Sequence, residues 1–157
     1  LKNPFCTVCS NPCSGQCYKG TEVETVYDKL KRADGVFIGS PVYFGSASAQ
    51  LKAFFDKGRK IRSEKALINL VGAAVTVGAS KYGGQETTIK AIHDMMLVQG
   101  MIIIGDGHTD YDAGHHGVSA QRPAETDDFA EKRSIVLAKR MVEVCQAVRN
   151  AQLRISK

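Results

Sequence analysis

Gly35-Val-Phe-Ile-Gly39-Ser-Pro-Val-Tyr-Phe-Gly45-Ser-Ala-Ser48-Ala-Gln-Leu51-Lys-Ala-Phe54-Phe55-Asp-Lys-Gly58 holds a strand, a loop and a helix in 24 residues. The short apolar run Gly35 to Gly39, bounded by glycines, predicts a strand buried on both faces. A helix is expected from about Ser48, with Leu51, Phe54 and Phe55 inward and Gly58 as its stop. The same alternation continues on either side. Upstream, Thr21-x-x-Glu24 reads as a capping box. Val23, Val26, Tyr27 and Leu30 follow at the spacing of an amphipathic helix that ends near Asp34-Gly35. Downstream, Val71 to Val77 reads as a second buried strand and Gln85 to Gln99 as a helix with Ile89, Ile92 and Met96 on one side. Met101 to Ile104 reads as a third strand, and Gly105 to about Asp127 as a polar loop. A last helix turns Leu137, Met141, Val144, Cys145 and Val148 inward. Strands alternating with covering helices predict an α/β domain with a parallel sheet, whose ligands bind beyond the carboxyl ends of the strands.

The chain has 157 residues, 43% of them hydrophobic and 24% charged, which suits one globular domain over 1–157 with a core of its own. No apolar run reaches about 18 residues and no secretory leader pattern occurs, so a soluble, cytoplasmic protein without a membrane partner is expected. The net charge is +5, but Lys and Arg are interleaved with acids, which argues against nucleic acid and for small phosphate-bearing ligands. No Walker sequence is present.

Each strand-to-helix loop is a candidate site. In the first, Ser40, Pro41, Val42, Tyr43, Phe44, Gly45 and Ser46 combine aromatic surface with small residues whose N–H groups can approach a flat heteroaromatic ring. A Pro-initiated turn with core aromatics is the plainer alternative. In the second, Gly78, Ala79, Ser80, Tyr82, Gly83, Gly84 and Gln85 lead into a helix N-terminus with free N–H donors. The third carries His108, Asp110, Asp112, His115 and His116, which line a pocket mouth or an interface, or ligate a metal. His93 is expected at a core boundary.

Four of the five cysteines lie in the pattern Cys6-x2-Cys9-x3-Cys13-x3-Cys17, too local for a disulfide framework. Four thiolates in one short loop suit a cubane iron–sulfur cluster or tetrahedral zinc, with redox-active thiols as the third reading. Cys145, on the apolar stripe of the last helix, is expected as a core thiol.

Taken in order, the cysteine loop, the Gly39 to Lys52 segment and Gly78-Ala-Ser-Lys-Tyr-Gly-Gly-Gln-Glu-Thr-Thr88 resemble the iron–sulfur flavoproteins of the NADPH-dependent FMN reductase group, from about Cys6 to Met141. The resemblance implies a flavodoxin-like three-layer sandwich. It implies FMN edged by Pro41 to Ser46, contacted on its pyrimidine side by Gly78 to Gln85 and closed over near His116 and Gly117. It also implies a [4Fe–4S] cluster on Cys6, Cys9, Cys13 and Cys17, where zinc is the alternative. Electrons would come from NAD(P)H or a protein donor such as ferredoxin and pass to a small-molecule acceptor, in a homodimer or homotetramer. An FMN-only quinone or flavin reductase and a zinc-stabilised interaction module are the competing functions. The pattern departs from the family at the three-residue spacing between Cys9 and Cys13. The family's first strand and phosphate loop, expected ahead of the cysteines, are also missing, and together with Leu1 in place of Met this predicts a longer parent protein.

Overall fold

The computed structural model describes residues 4–154, so Leu1 lies outside the described residues. The order of elements is α1 (Glu22–Arg32), β1 (Gly35–Pro41), α2 (Ala49–Lys57), α3 (Arg59–Ser63), β2 (Val71–Gly78), α4 (Gln85–Val98), β3 (Ile102–Ile103), β4 (Val118–Gln121) and α5 (Asp128–Asn150), with 3-10 turns at Gln16–Tyr18 and Ala124–Thr126. No helix among the described residues is long and apolar enough to cross a membrane.

The sheet is parallel and centred on β2. On one side β1 pairs with it in the register Gly35↔Val71 to Pro41↔Val77. On the other, β3 takes Val71 and Gly72, and β4 takes Val75 to Gly78. β3 and β4 thus form one interrupted edge, from whose middle residues 105–117 bulge out. The third strand is shorter than expected, and β4 lies inside the stretch read as loop; Val118–Gln121 has too little apolar pattern to declare itself without β2 beside it.

Side chains of β2 alternate between two layers. Ala74 faces Ile89, Ile92, Met96, Ile61, Leu67 and Tyr27, the layer built by α1 to α4. Val71, Ala73 and Val75 face Leu137, Met141 and Val148 of α5, which covers the opposite side. β2 is therefore buried on both faces, as expected. β1 is not: Phe37 is 48% exposed, because α5 lies over β2 and β4 and meets β1 at its start, where Gly35 sits beneath Met141 and Cys145. Among the described residues no strand pairs with the outer edge of β1, and an apolar cavity of about 320 Å³ lies there between β1, α1 and α2.

Two helix starts also differ from the pattern. Glu24 does reach back, but to the N–H of Gly20 at 2.7 Å, while the Thr21 hydroxyl donates to the Tyr18 carbonyl and caps nothing. Val26 is exposed, whereas Tyr27 is buried and donates its hydroxyl to the Phe54 carbonyl at 2.6 Å, joining α1 to α2.

Candidate functional site

The loop after β1 is tied down before it is displayed. The buried Ser40 hydroxyl accepts from the Ser48 N–H at 3.0 Å and donates to the Pro41 carbonyl at 2.8 Å. Ser48 in turn caps α2 by accepting from the Leu51 N–H. Val42 extends the ladder by donating to the Val77 carbonyl at 2.9 Å. Tyr43 and Ser46 then exchange two backbone hydrogen bonds across Phe44 and Gly45, both in the left-handed region at φ 51° and 74°, as a type I′ turn demands. Phe44 is fully exposed and Tyr43 more than half exposed. A bulky residue held in this conformation with its ring in solvent costs free energy, and such positions cluster at binding sites. The alternative of core aromatics therefore fails for both rings.

In the loop after β2, Gly78, Ala79, Ser80, Tyr82, Gly83 and Gly84 carry the chain to α4, while Gln85 turns inward. Its buried amide donates to the Ser80 carbonyl at 2.7 Å and lies 3.5 Å from that of Ala120, bracing the loop against β4. Gly84 occupies the N-cap at φ 100°, and a Cβ there would sit 2.8 Å from the Gly45 Cα. The first two loops thus meet backbone to backbone. No side chain caps α4, so its first N–H groups remain available beside this contact. Tyr82 is almost wholly exposed next to it. Three displayed rings, two touching small-residue loops and a helix N-terminus suit a planar ring system with polar edges.

The third loop is strapped down rather than gathered around a metal. Asp106 is completely buried. Arg133 on α5 pairs with its carboxylate, donates to its carbonyl at 3.0 Å and grips both Asp112 oxygens at 2.7 and 3.0 Å. Asp106 also accepts from the His115 N–H, and the His115 Nδ1 lies 3.3 Å away. Arg140 donates to the Gly107 carbonyl, His108 pairs with Glu143, and Lys139 meets the Tyr111 hydroxyl. At the far end His116 Nδ1 lies 3.0 Å from Glu86 on the first turn of α4, and Gly117 packs on the Ala74 carbonyl, where no Cβ would fit. Burial alone would raise the Asp106 pKa, but hydrogen bonds from Arg133 and the His115 backbone outweigh it and hold the carboxyl below its ordinary value. Burial and the neighbouring His116 push half-buried His93 down. Among the described residues no three His, Cys, Asp or Glu side chains come within reach of one metal ion, so His108, Asp110, Asp112, His115 and His116 form no ready metal site. The sequence reading missed Arg133 and Asp106. The available signal was an Arg on the apolar stripe of α5, between Ala130 and Leu137.

The cysteine loop packs against the far end of α2. All five thiols are free; Cys6 and Cys13 are half-buried, Cys9 and Cys17 exposed. Two cations hold the loop: Lys57 Nζ donates to the Phe5 carbonyl at 3.2 Å and an Arg59 N–H to the Ser10 carbonyl at 3.4 Å. Tyr18, at the end of the loop, is pushed up to about 12 by burial and by the neighbouring Cys13 and Glu64. The four sulfurs are not drawn into one metal-sized group, so coordination requires the loop to close around its ligand. As a donor set, four uncrosslinked thiols within twelve residues fit a thiolate-ligated centre. Cys145, expected inside the core, is half-buried at the core's edge, 3.6 Å from the Met141 sulfur, and burial raises its pKa.

Residues 1–115 match the family described as NADPH-dependent FMN reductase. The chain is 41% identical over 145 residues to an iron–sulfur flavoprotein of Methanocaldococcus jannaschii, covering 92% of this chain and 74% of that protein. It is 39% identical over 133 residues to an iron–sulfur flavoprotein of Methanosarcina thermophila, covering 84% and 66%. In fold it is similar to a WrbA-like flavodoxin from Agrobacterium tumefaciens, with a TM-score of 0.64 at 22% identity over 79% of this chain and 73% of the other.

Proposed function

The chain belongs to the NADPH-dependent FMN reductase family, and from that premise we propose an FMN-dependent oxidoreductase that draws electrons from NAD(P)H and couples the flavin to a [4Fe–4S] cluster. The observation that carries the flavin is the contact between the Tyr43–Ser46 turn and the Gly84 N-cap of α4, flanked by the exposed rings of Tyr43, Phe44 and Tyr82. FMN, when bound, supplies both hydride acceptance and single-electron transfer. The residues do the rest. The free N–H groups of α4 favour a carbonyl edge or negative charge on the ring. The aromatic turn shields a face from water, and Gln85, braced on Ser80 and Ala120, keeps the second loop at fixed height. The strapped third loop presents His116 and Gly117 at the side of α4. Cys6, Cys9, Cys13 and Cys17 would hold the cluster, and two relatives named as iron–sulfur flavoproteins favour it over zinc.

Anaerobic purification tests both cofactors. The full-length protein is expected to retain FMN and to contain iron and acid-labile sulfide in equal amounts; replacing any one of the four cysteines with Ala abolishes the iron and leaves FMN affinity within about threefold. Stoichiometric zinc without sulfide would overturn the cluster. For the flavin, Gly84→Ala introduces a Cβ against the Gly45 backbone at a left-handed position. The loops must part, with a loss of about 1–3 kcal/mol of stability and at least a tenfold weaker FMN titration by fluorescence quenching. Equal FMN affinity in wild type and variant would remove the loop contact from the site.

A further inference from the structure

Lys57 is a lysine where a lysine is costly. It ends α2 only 2% exposed, and among the described residues its ammonium donates to one neutral acceptor, the carbonyl of Phe5, the residue before Cys6. Other cations nearby are matched: Lys52 pairs with Asp56 at 2.6 Å and Lys60 lies 3.9 Å from Glu64. Neither Lys57 nor Arg59 has a carboxylate within 4 Å among the described residues, and Arg59 too reaches back to the cysteine loop, at the Ser10 carbonyl. Burying an ammonium without a counter-ion is strongly unfavourable, and in folded proteins such charges are paired or meet a ligand of opposite sign. Here the loop that both cations hold carries four thiols, which become negative thiolates when they ligate a metal centre.

We propose that Lys57, seconded by Arg59, is the built-in countercharge of the cysteine-ligated centre, setting how readily it accepts an electron. The proposal rests on the iron–sulfur reading above. A [4Fe–4S] core in its oxidised state with four thiolates carries a net charge of −2. One electron from the reduced flavin, or from a low-potential chemical reductant, takes it to −3 with no bond made or broken. An ammonium in a poorly solvated position stabilises the −3 state more than the −2 state, because Coulomb energy scales with the product of the charges and is weakly screened there. Lys57 is a positioning and tuning residue, not a ligand. It lies about 12 Å along α2 from Ala49, at the helix's 1.5 Å rise per residue, and so away from the flavin loops. The sequence marks it only as a Lys within the Phe54-Phe55-Asp56-Lys57-Gly58 end of an apolar helix face.

The test is an EPR-monitored redox titration of the full-length cluster-loaded protein, with iron, sulfide and FMN content measured on the same samples. Lys57→Met keeps the length and apolar stem and removes the charge. It is expected to shift the reduction equilibrium at least tenfold toward the oxidised cluster, about 59 mV for one electron, with FMN content unchanged. Lys57→Arg restores the equilibrium to within threefold, and Arg59→Gln shifts it in the same direction by a smaller factor. Iron lost from Lys57→Met but kept in Lys57→Arg also supports the countercharge. An unshifted equilibrium in Lys57→Met, or iron lost equally from both variants, overturns it in favour of a packing role. If Lys57→Met does not fold, as judged by FMN content and circular dichroism, Arg59→Gln decides: an unshifted equilibrium there overturns the proposal. Wild-type protein without iron fails at the earlier step and removes the cluster reading, this proposal with it.

Discussion

Arg133→Met is expected to lower the folding free energy by about 3–5 kcal/mol, measured as a fall in the urea midpoint at neutral pH. The reason is what it leaves behind. Asp106 has no contact with water, and Arg133 is its ionic partner as well as the donor to its carbonyl and to both oxygens of Asp112. Removing one member of a buried pair strands the other charge, which costs more than the pair itself contributes. The sign of the pH dependence separates the variant from wild type. In wild type the Asp106 carboxyl is held below its ordinary 3.8. Its contribution is therefore fully present above about pH 4 and is lost as the pH falls through the depressed folded value. In Arg133→Met, burial is left to push the same carboxyl up, so the folded state gains relative to the unfolded one on acidification. The gap between the two proteins should narrow from pH 7 to pH 4; a gap that is constant over this range would show that Asp106 is not the stranded group. Asp106→Leu in the Arg133→Met background should recover part of the loss, because it removes the orphaned charge.

Leu137→Ala is expected to cost about 3–5 kcal/mol, the upper part of the range for buried leucines. Leu137 is 1% exposed and docks α5 onto Val71, Ala73 and Val118, and α5 is what covers that face of the sheet among the described residues. Among the described residues no second α-helix packs on that face to close over the space. Because α5 also carries Arg133, Arg140 and Glu143, loosening it slackens the straps on residues 105–117. Val142→Ala on the same helix serves as the control: at 56% exposure it should stay within about 0.5 kcal/mol. Equal effects of the two substitutions would show that α5 does not dock through its Leu137 side.

Much of the architecture was legible because it is encoded over short distances. An apolar run such as Val71 to Val77, helical spacing such as Ile89, Ile92 and Met96, and a stop at Gly58 or Gly100 each act within a few residues, and all of these appear in the structure. The loops after β1 and β2 belong to the same class, since the Tyr43–Ser46 turn and the Gly84 cap are local backbone choices that Gly makes inexpensive. So does the spacing of Cys6, Cys9, Cys13 and Cys17, which restricts the chemistry to a thiolate-bound centre or reactive thiols without choosing between them.

Pairings over long sequence separation were not legible. β4 becomes a strand by lying on the edge of β2, β1 loses cover because α5 lies elsewhere, and Gln85 turns inward because Ala120 waits beneath it. The same holds for the charges. Helical spacing sets Arg133 on the apolar stripe and Lys132 off it. Whether a charge on such a stripe is buried, as Arg133 and Lys57 are while Lys132 and Lys52 are exposed, is decided only when the helices dock. The pattern of residue types settles which elements form and which chemistry each loop can offer, since propensity, capping and ligand softness are properties of neighbours along the chain. Which charge meets which partner, and which is left to be answered by a ligand, is settled by packing, because the energy of a charge depends on how much water the rest of the fold takes away from it.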